Sequence, residues 1–106
     1  MIPTFVYMTA GTREEAERIG RALVEERLAA CVNILPGMLS VYRWKGAVEQ
    51  AEEVVLLAKT RRSNFTALAE RVRALHSYEV PCIVELPLGQ GDAPYLDWIA
   101  AETDLG

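Results

Sequence analysis

Histidine is almost missing from this chain, basic residues do not predominate, and no apolar run is long. One histidine, His76, stands among 106 residues. With it go the HxxxH and HExxH patterns of metal-binding helices, and no CxxC pair replaces them. A closed zinc site within one chain is therefore not expected. Cysteine is as scarce: Cys31 and Cys82 cannot make the disulfide framework of a small secreted domain. Glycine (7) and proline (5) are too few for a collagen-like or low-complexity chain. Eleven basic residues stand against 15 acidic ones, a formal charge of -4, with a pI near 5.0. That balance argues against a nucleic-acid footprint and against a polybasic membrane patch. No apolar stretch approaches the roughly 20 residues that span a bilayer. The opening MIPTFVYMTAG lacks the basic flank of a signal peptide. A cytoplasmic protein with reduced thiols is expected. GxSxG, GxGxxG and GxxxxGK[ST] are also absent, so nucleophilic and nucleotide-dependent catalysis find no support and no enzyme activity is expected.

What is present reads as one domain over residues 1–106, long enough to bury roughly two-thirds of its unfolded surface. Residues 3–9 (PTFVYMT) are rich in strand formers. Thr12 with Glu15 makes a capping box, and Ala16, Ile19, Leu23, Val24 and Leu28 recur at helical spacing behind it. CVNIL and MLSVYRW form one long strand, 31–44, with Pro36-Gly37 as a bulge or bend. Lys45-Gly46 is a tight hairpin turn into a second arm, 47–61, whose segment Val54–Ala58 is the most apolar. Ser63 or Asn64 opens a helix with the stripe Phe65, Leu68, Val72, Leu75. A fourth strand follows from Val80 to Leu86, at an edge because of Pro81. Asp92 caps a last helix with Pro94 in its first turn, and Tyr95, Leu96, Trp98 and Ile99 form its bulky apolar side.

The order β-α-β-β-α-β plus a C-terminal helix predicts an α+β chain of ferredoxin-like split βαβ type, an antiparallel sheet with a long central hairpin. Each hairpin arm, at about 14 residues and roughly 3.3 Å per residue, reaches beyond 40 Å. A small sheet cannot cover that length. Its apolar side chains then call for a partner, most economically further copies of the same chain.

The segments ERLAACVNILPG (Glu26–Gly37), VYRWKG (Val41–Gly46), LLAKTR (Leu56–Arg61), LHSYEVP (Leu75–Pro81) and YLDWI (Tyr95–Ile99) resemble, in order, the CutA family of divalent-cation tolerance proteins. The resemblance spans nearly the whole chain. It implies a ferredoxin-like protomer in a tight homotrimer, similar in architecture to the nitrogen-regulatory PII proteins. It also implies a link to copper and other divalent metals, with copper as a bound ion that the fold does not need. Two positions depart from the family: Ser77 replaces a usual proline, and Cys82 replaces a usual glutamate after Pro81. The second change trades a hard oxygen ligand for a soft sulfur.

Chemistry-bearing residues follow from both readings. His76, Cys31 and Glu79 are the candidate metal donors, since thiolate and imidazole suit copper. His76 can equally cap the last carbonyls of its helix, and Cys31 and Cys82 can equally be small buried hydrophobes. The resemblance places His76, Tyr78 and Glu79 at the mouth of an inter-subunit cleft. Lys59 and Arg61, with Lys45 at the hairpin tip and Asn33 nearby, suggest a PII-like pocket for a small anion, and with it docking on an unidentified protein partner. Tyr42 and Trp44 could be an aromatic platform for bases. The acidic charge and the aromatic-free VVLLAKTR strand assign them instead to the oligomer interface.

Overall fold

The computed structural model describes residues 1–106 and sets strand β1 (Pro3–Ala10) inside a four-stranded sheet. The other strands are β2 (Cys31–Trp44), β3 (Ala47–Arg61) and β4 (Ile83–Pro87), in the spatial order β2-β3-β1-β4. Every pairing is antiparallel. Helix α1 (Arg13–Glu25) connects β1 to β2, and α2 (Phe65–Leu75) connects β3 to β4 after a 3₁₀ turn at Arg62–Asn64. Helix α3 (Ala93–Glu102) completes the expected α+β, ferredoxin-like order.

Strand alternation sorts the core. Thr4, Val6, Met8 and Ala10 of β1 and Val54, Leu56, Ala58 and Thr60 of β3 are buried, and the register pairs Val6 with Ala58 and Met8 with Leu56. Paired residues share a face. Ala16, Ile19 and Leu23 of α1 and Leu68 and Val72 of α2 join the same cluster. Each fully buried Ile or Leu there contributes roughly 1.5–3 kcal/mol. Phe65 and Leu75 finish the α2 stripe as half-buried neighbours of the cluster.

Four local expectations are corrected. The α1 pattern runs through Leu28, but the helix stops at Glu25. Arg27 turns left-handed (φ 60), its N–H bonding Val24 O and that of Leu28 bonding Leu23 O, a Schellman ending. Asn64 stands at the N-cap of α2 without capping it, because its amide donates to the buried Thr103 carbonyl. Asp92 likewise starts α3 through its backbone carbonyl alone, and Tyr95 and Trp98 of that helix stay largely exposed while Ile99 is buried. The fourth strand begins at Ile83, three residues late, so Cys82 lies outside it; β4 is an edge, as Pro81 implied.

The hairpin behaves as its sequence predicts. Lys45 (φ 48) and Gly46 (φ 83) both take the positive φ that a tight two-residue turn with right-handed twist requires. A register shift between Leu35 and Met38 marks the Pro36-Gly37 bulge, with Gly37 at φ 86. The bulge changes parity: Leu35 faces with Val55, and beyond it Met38, Tyr42 and Trp44 pair with Glu53, Glu49 and Ala47. All of these carry odd positions of β3, the face opposite α1 and α2. Strand β1 covers β3 only as far as Val54, paired with Ala10. Past that point the hairpin is a two-stranded ribbon, exposing Leu39, Val41 and Val48 on one side and parts of Tyr42 and Trp44 on the other.

Because Ile19 is 1% exposed and Val24, on the same helix, 41%, truncation should separate them sharply. Ile19→Ala is expected to cost about 2–5 kcal/mol, and Val24→Ala no more than about 0.5 kcal/mol, read from urea denaturation midpoints. Equal losses would contradict the packing described.

Candidate functional site

The site is built where the ribbon overhangs the end of β1. Its far wall is the segment after α2, and a buried carboxylate holds that segment in place. Thr12 Oγ1 accepts the Glu15 N–H (3.1 Å), the first half of the expected capping box. Glu15 does not return the bond to Thr12. Its carboxylate accepts from Gly11 N (3.4 Å) and, from across the molecule, from Ser77 N (2.8 Å). Arg18 stands 3.8 Å from the same oxygen. Burial alone would raise the Glu15 carboxyl, but the Ser77 hydrogen bonds, His76 nearby and Gly11 outweigh it and hold the group below its usual range.

His76 follows on the same segment, and its partners fix its tautomer. Nε2 lies 2.7 Å from the Thr9 carbonyl, which can only accept, so Nε2 carries the proton. Nδ1 then accepts the Tyr78 N–H at 3.0 Å. Both ring nitrogens are engaged. In this arrangement the ring positions the segment after α2, with neither nitrogen left unpartnered. It also caps α2, as its N–H reaches Val72 O.

Tyr78 is the residue so positioned. Its ring packs 4.6 Å from that of His76 and lies over Gly11, where a Cβ would come within 3.3 Å of the phenol oxygen. The hydroxyl donates to Glu53 of the ribbon at 2.7 Å, joining the two walls. Burial and then the Glu53 carboxylate hold the phenol far above its usual range, so it stays a neutral donor. Between the walls lies an open cavity of about 560 Å³. Tyr42, Trp44, Glu49 and Glu53 line it from the ribbon, and Tyr78, Glu79, Val80 and Cys82 from the opposite segment. Burial and then Glu53 push the Cys82 thiol up, so it remains protonated at neutral pH. At the rim, Lys45 Nζ sits 3.9 Å from Glu79 and 5.6 Å from the centre of the Trp44 ring.

The structure thus gathers Tyr78, Glu79, Tyr42 and Trp44, and leaves the other candidates elsewhere. Cys31 pairs with Lys59, which pairs with Phe5, whereas His76 touches Thr9. Four residue steps along β1, from Phe5 to Thr9, separate the two places by roughly 13 Å, so His76, Cys31 and Glu79 do not form one centre within the chain. Asn33 points its amide at Cys31 Sγ (3.7 Å). Lys59 donates to Tyr95 Oη (2.9 Å), and Arg61 bonds the Ala100 carbonyl and Thr103 Oγ1, so both fasten α3. Lys45 is far along β3 at the opposite end. Within one chain Lys59 and Arg61 therefore do not meet Lys45. No group of three or more His, Cys, Asp or Glu side chains converges as a metal-sized centre in the chain.

Sequence reading missed Glu49 and Glu53, and met Cys82 only as a departure from the family, a soft sulfur with a structural alternative. A signal existed for the first: a two-residue turn at Lys45-Gly46 places Glu49 directly across from Tyr42. The same register carries on to Met38 and Glu53, and Cys82 enters the lining because β4 starts only at Ile83.

The family model described as CutA1 divalent ion tolerance protein matches residues 4–102. The divalent-cation tolerance protein CutA of Thermus thermophilus is 53% identical over 98 residues, 92% of this chain and 95% of that protein. The CutA homolog of Xenopus laevis is 48% identical over 93 residues, 88% of this chain and 62% of that protein. A solved structure, the periplasmic divalent cation tolerance protein CutA from Archaeoglobus fulgidus, aligns with a TM-score of 0.94 at 43% identity, covering 97% of this chain and 100% of that one.

The Glu15 clamp gives a pH-dependent expectation. Its folded carboxyl lies below the unfolded value of about 4.3, so its stabilisation is complete above that pH and is lost as pH falls through the folded value. Glu15→Gln should cost about 1–3 kcal/mol at pH 7, and the gap to wild type should narrow below about pH 4. Thermal denaturation across that range checks it; a gap independent of pH would remove the clamp.

Proposed function

The chain belongs to the CutA1 divalent ion tolerance family, and on that premise we propose that it is a non-enzymatic, cytoplasmic homotrimer that binds copper or a similar metal ion. On this reading it takes part in the cell's response to metal ions. The observation that carries the proposal is the 53% identity, over nearly both full lengths, to a protein named for divalent-cation tolerance. The cleft adds chemical support. Glu49, Glu53 and Glu79 concentrate negative charge there, and Cys82 adds a sulfur. One chain supplies no complete ligand set, so the donors of a neighbouring copy complete it. Cys31, far from this cleft, is a separate donor on the same sheet face as Lys59.

The trimer is supported by the uncovered ribbon: a two-stranded hairpin alone is marginal in water, and neighbouring copies would cover its Leu39, Val41 and Val48 side while the tip at Trp44 meets them at the rim of the cleft. Both cysteines are free thiols, which suits a reducing compartment. No helix is long and apolar enough to cross a membrane. A phosphate backbone would be repelled by the acidic cleft, which disfavours nucleic acid as a partner. Docking on a further protein stays within this reading only as a role for the assembled trimer.

An anaerobic Cu(I) titration against a competing chelator, with solution mass measured alongside, tests the reading. Saturation at a whole-number ratio to chains or trimers is expected; weak, non-stoichiometric uptake contradicts it. His76→Ala should leave the ratio unchanged, while Glu79→Gln with Cys82→Ser should weaken uptake at least ten-fold. For the assembly, Trp44→Asp is expected to give monomers or aggregates, and a trimer of unchanged melting temperature would contradict the interface.

A further inference from the structure

We infer that the cleft between the ribbon and the segment after α2 is a binding site for a small organic ammonium ion, whose place at the rim Lys45 occupies in this structure. Three observations converge on that class of ligand. Three aromatic side chains, Tyr42, Trp44 and Tyr78, line the cavity together with three carboxylates, Glu49, Glu53 and Glu79. Aromatic faces and carboxylates both favour a cation, each aromatic contact by about 0.5–2 kcal/mol as the site becomes drier. A volume of about 560 Å³ lies within the range of small-molecule pockets and far exceeds a bare metal ion. Val80 adds an apolar surface that a hydrated inorganic ion would not use.

The third observation is an ammonium group already held in this way. The left-handed turn at Lys45 carries its Nζ over the Trp44 indole while Glu79 stands 3.9 Å away. Both partners line the cavity; Lys45 itself stays exposed (73%), so it closes the rim without filling the interior. The Tyr78 hydroxyl is committed to Glu53 and its ring also packs on His76 and Gly11, so it offers a ligand only the part of the ring that lines the cavity. Lys45 is therefore a competitor of the incoming cation rather than a ligand for it. This inference goes beyond the metal reading and does not depend on it, since aromatic faces do little for a compact hydrated metal.

The probe is choline chloride, with 3,3-dimethylbutan-1-ol as its uncharged isostere, titrated at constant ionic strength into the intact oligomer. Trp98→Phe leaves Trp44 as the sole indole reporter. A saturable change in Trp44 fluorescence is expected for choline, at least ten-fold tighter than for the alcohol. Glu79→Gln, an exposed change that spares the fold, should weaken choline several-fold. Lys45→Ala should tighten it by about three-fold or more, because the internal competitor is gone. Equal affinity for alcohol and choline overturns the inference, as does silence towards both, which would mean that a neighbouring copy fills the cleft. Weaker choline binding in Lys45→Ala would also overturn it, because Lys45 would then support the rim instead of competing for it.

Discussion

The mismatch in length between β3, with 15 residues, and β1, with 8, governs the rest of this molecule. Where β1 ends, opposite Val54, the sheet narrows to two strands, and seven cross-strand pairs, from Met38–Glu53 to Trp44–Ala47, continue alone. That ribbon reaches about 23 Å past the shared sheet. The longest dimension of the chain, 44 Å, is largely its doing. The notch beneath it holds the acidic and aromatic cavity. The same overhang leaves apolar side chains bare on both sides, a surface that isolated small proteins rarely tolerate.

A second wall has to be held against that overhang, and polar bonds rather than apolar packing hold it. Glu15, His76 and Tyr78 form a relay of hydrogen bonds from the start of α1, through Ser77 and Thr9, to Glu53 on the ribbon. Each member is spent on geometry. This explains why the only histidine, the obvious metal candidate, is chemically occupied, and why the free carboxylates lie further out, at Glu49 and Glu79. Positive charge is likewise committed at the other end of β3, where Lys59 and Arg61 fasten α3. What remains at the cleft is a field that favours cations, metal or organic, over anions.

Most of the fold was legible because its strongest signals are local. The Lys45-Gly46 turn, the Pro36-Gly37 bulge and the helical stripes each act within a few residues of themselves. Helix ends were harder: Leu28 fits the α1 period but lies beyond a left-handed Arg27, a position where glycine would have been the usual marker. The site was only half legible. Tyr78 and Glu79 came from resemblance, and Tyr42 and Trp44 were placed at an interface. Tyr42 and Trp44 share a face with Glu49 and Glu53 through the turn register alone, but the segment after α2 that meets this face is a long-range neighbour that no local pattern declares. The partners of Lys59 and Arg61 within the chain, Tyr95 at the start of α3 and Ala100 and Thr103 at its end, could not be read, because a strand-end cation looks the same in sequence whether it faces solvent or a helix.

On the proposed function, the overhanging ribbon is covered in solution by other copies of the chain, which frame the cleft beneath it. Amide hydrogen exchange over residues 38–53, measured on the intact protein, tests it most directly. The account predicts protection there comparable to that of the buried strand β1, because a covered ribbon opens only with the assembly. Fast exchange confined to those residues, as in a free two-stranded hairpin, would contradict it.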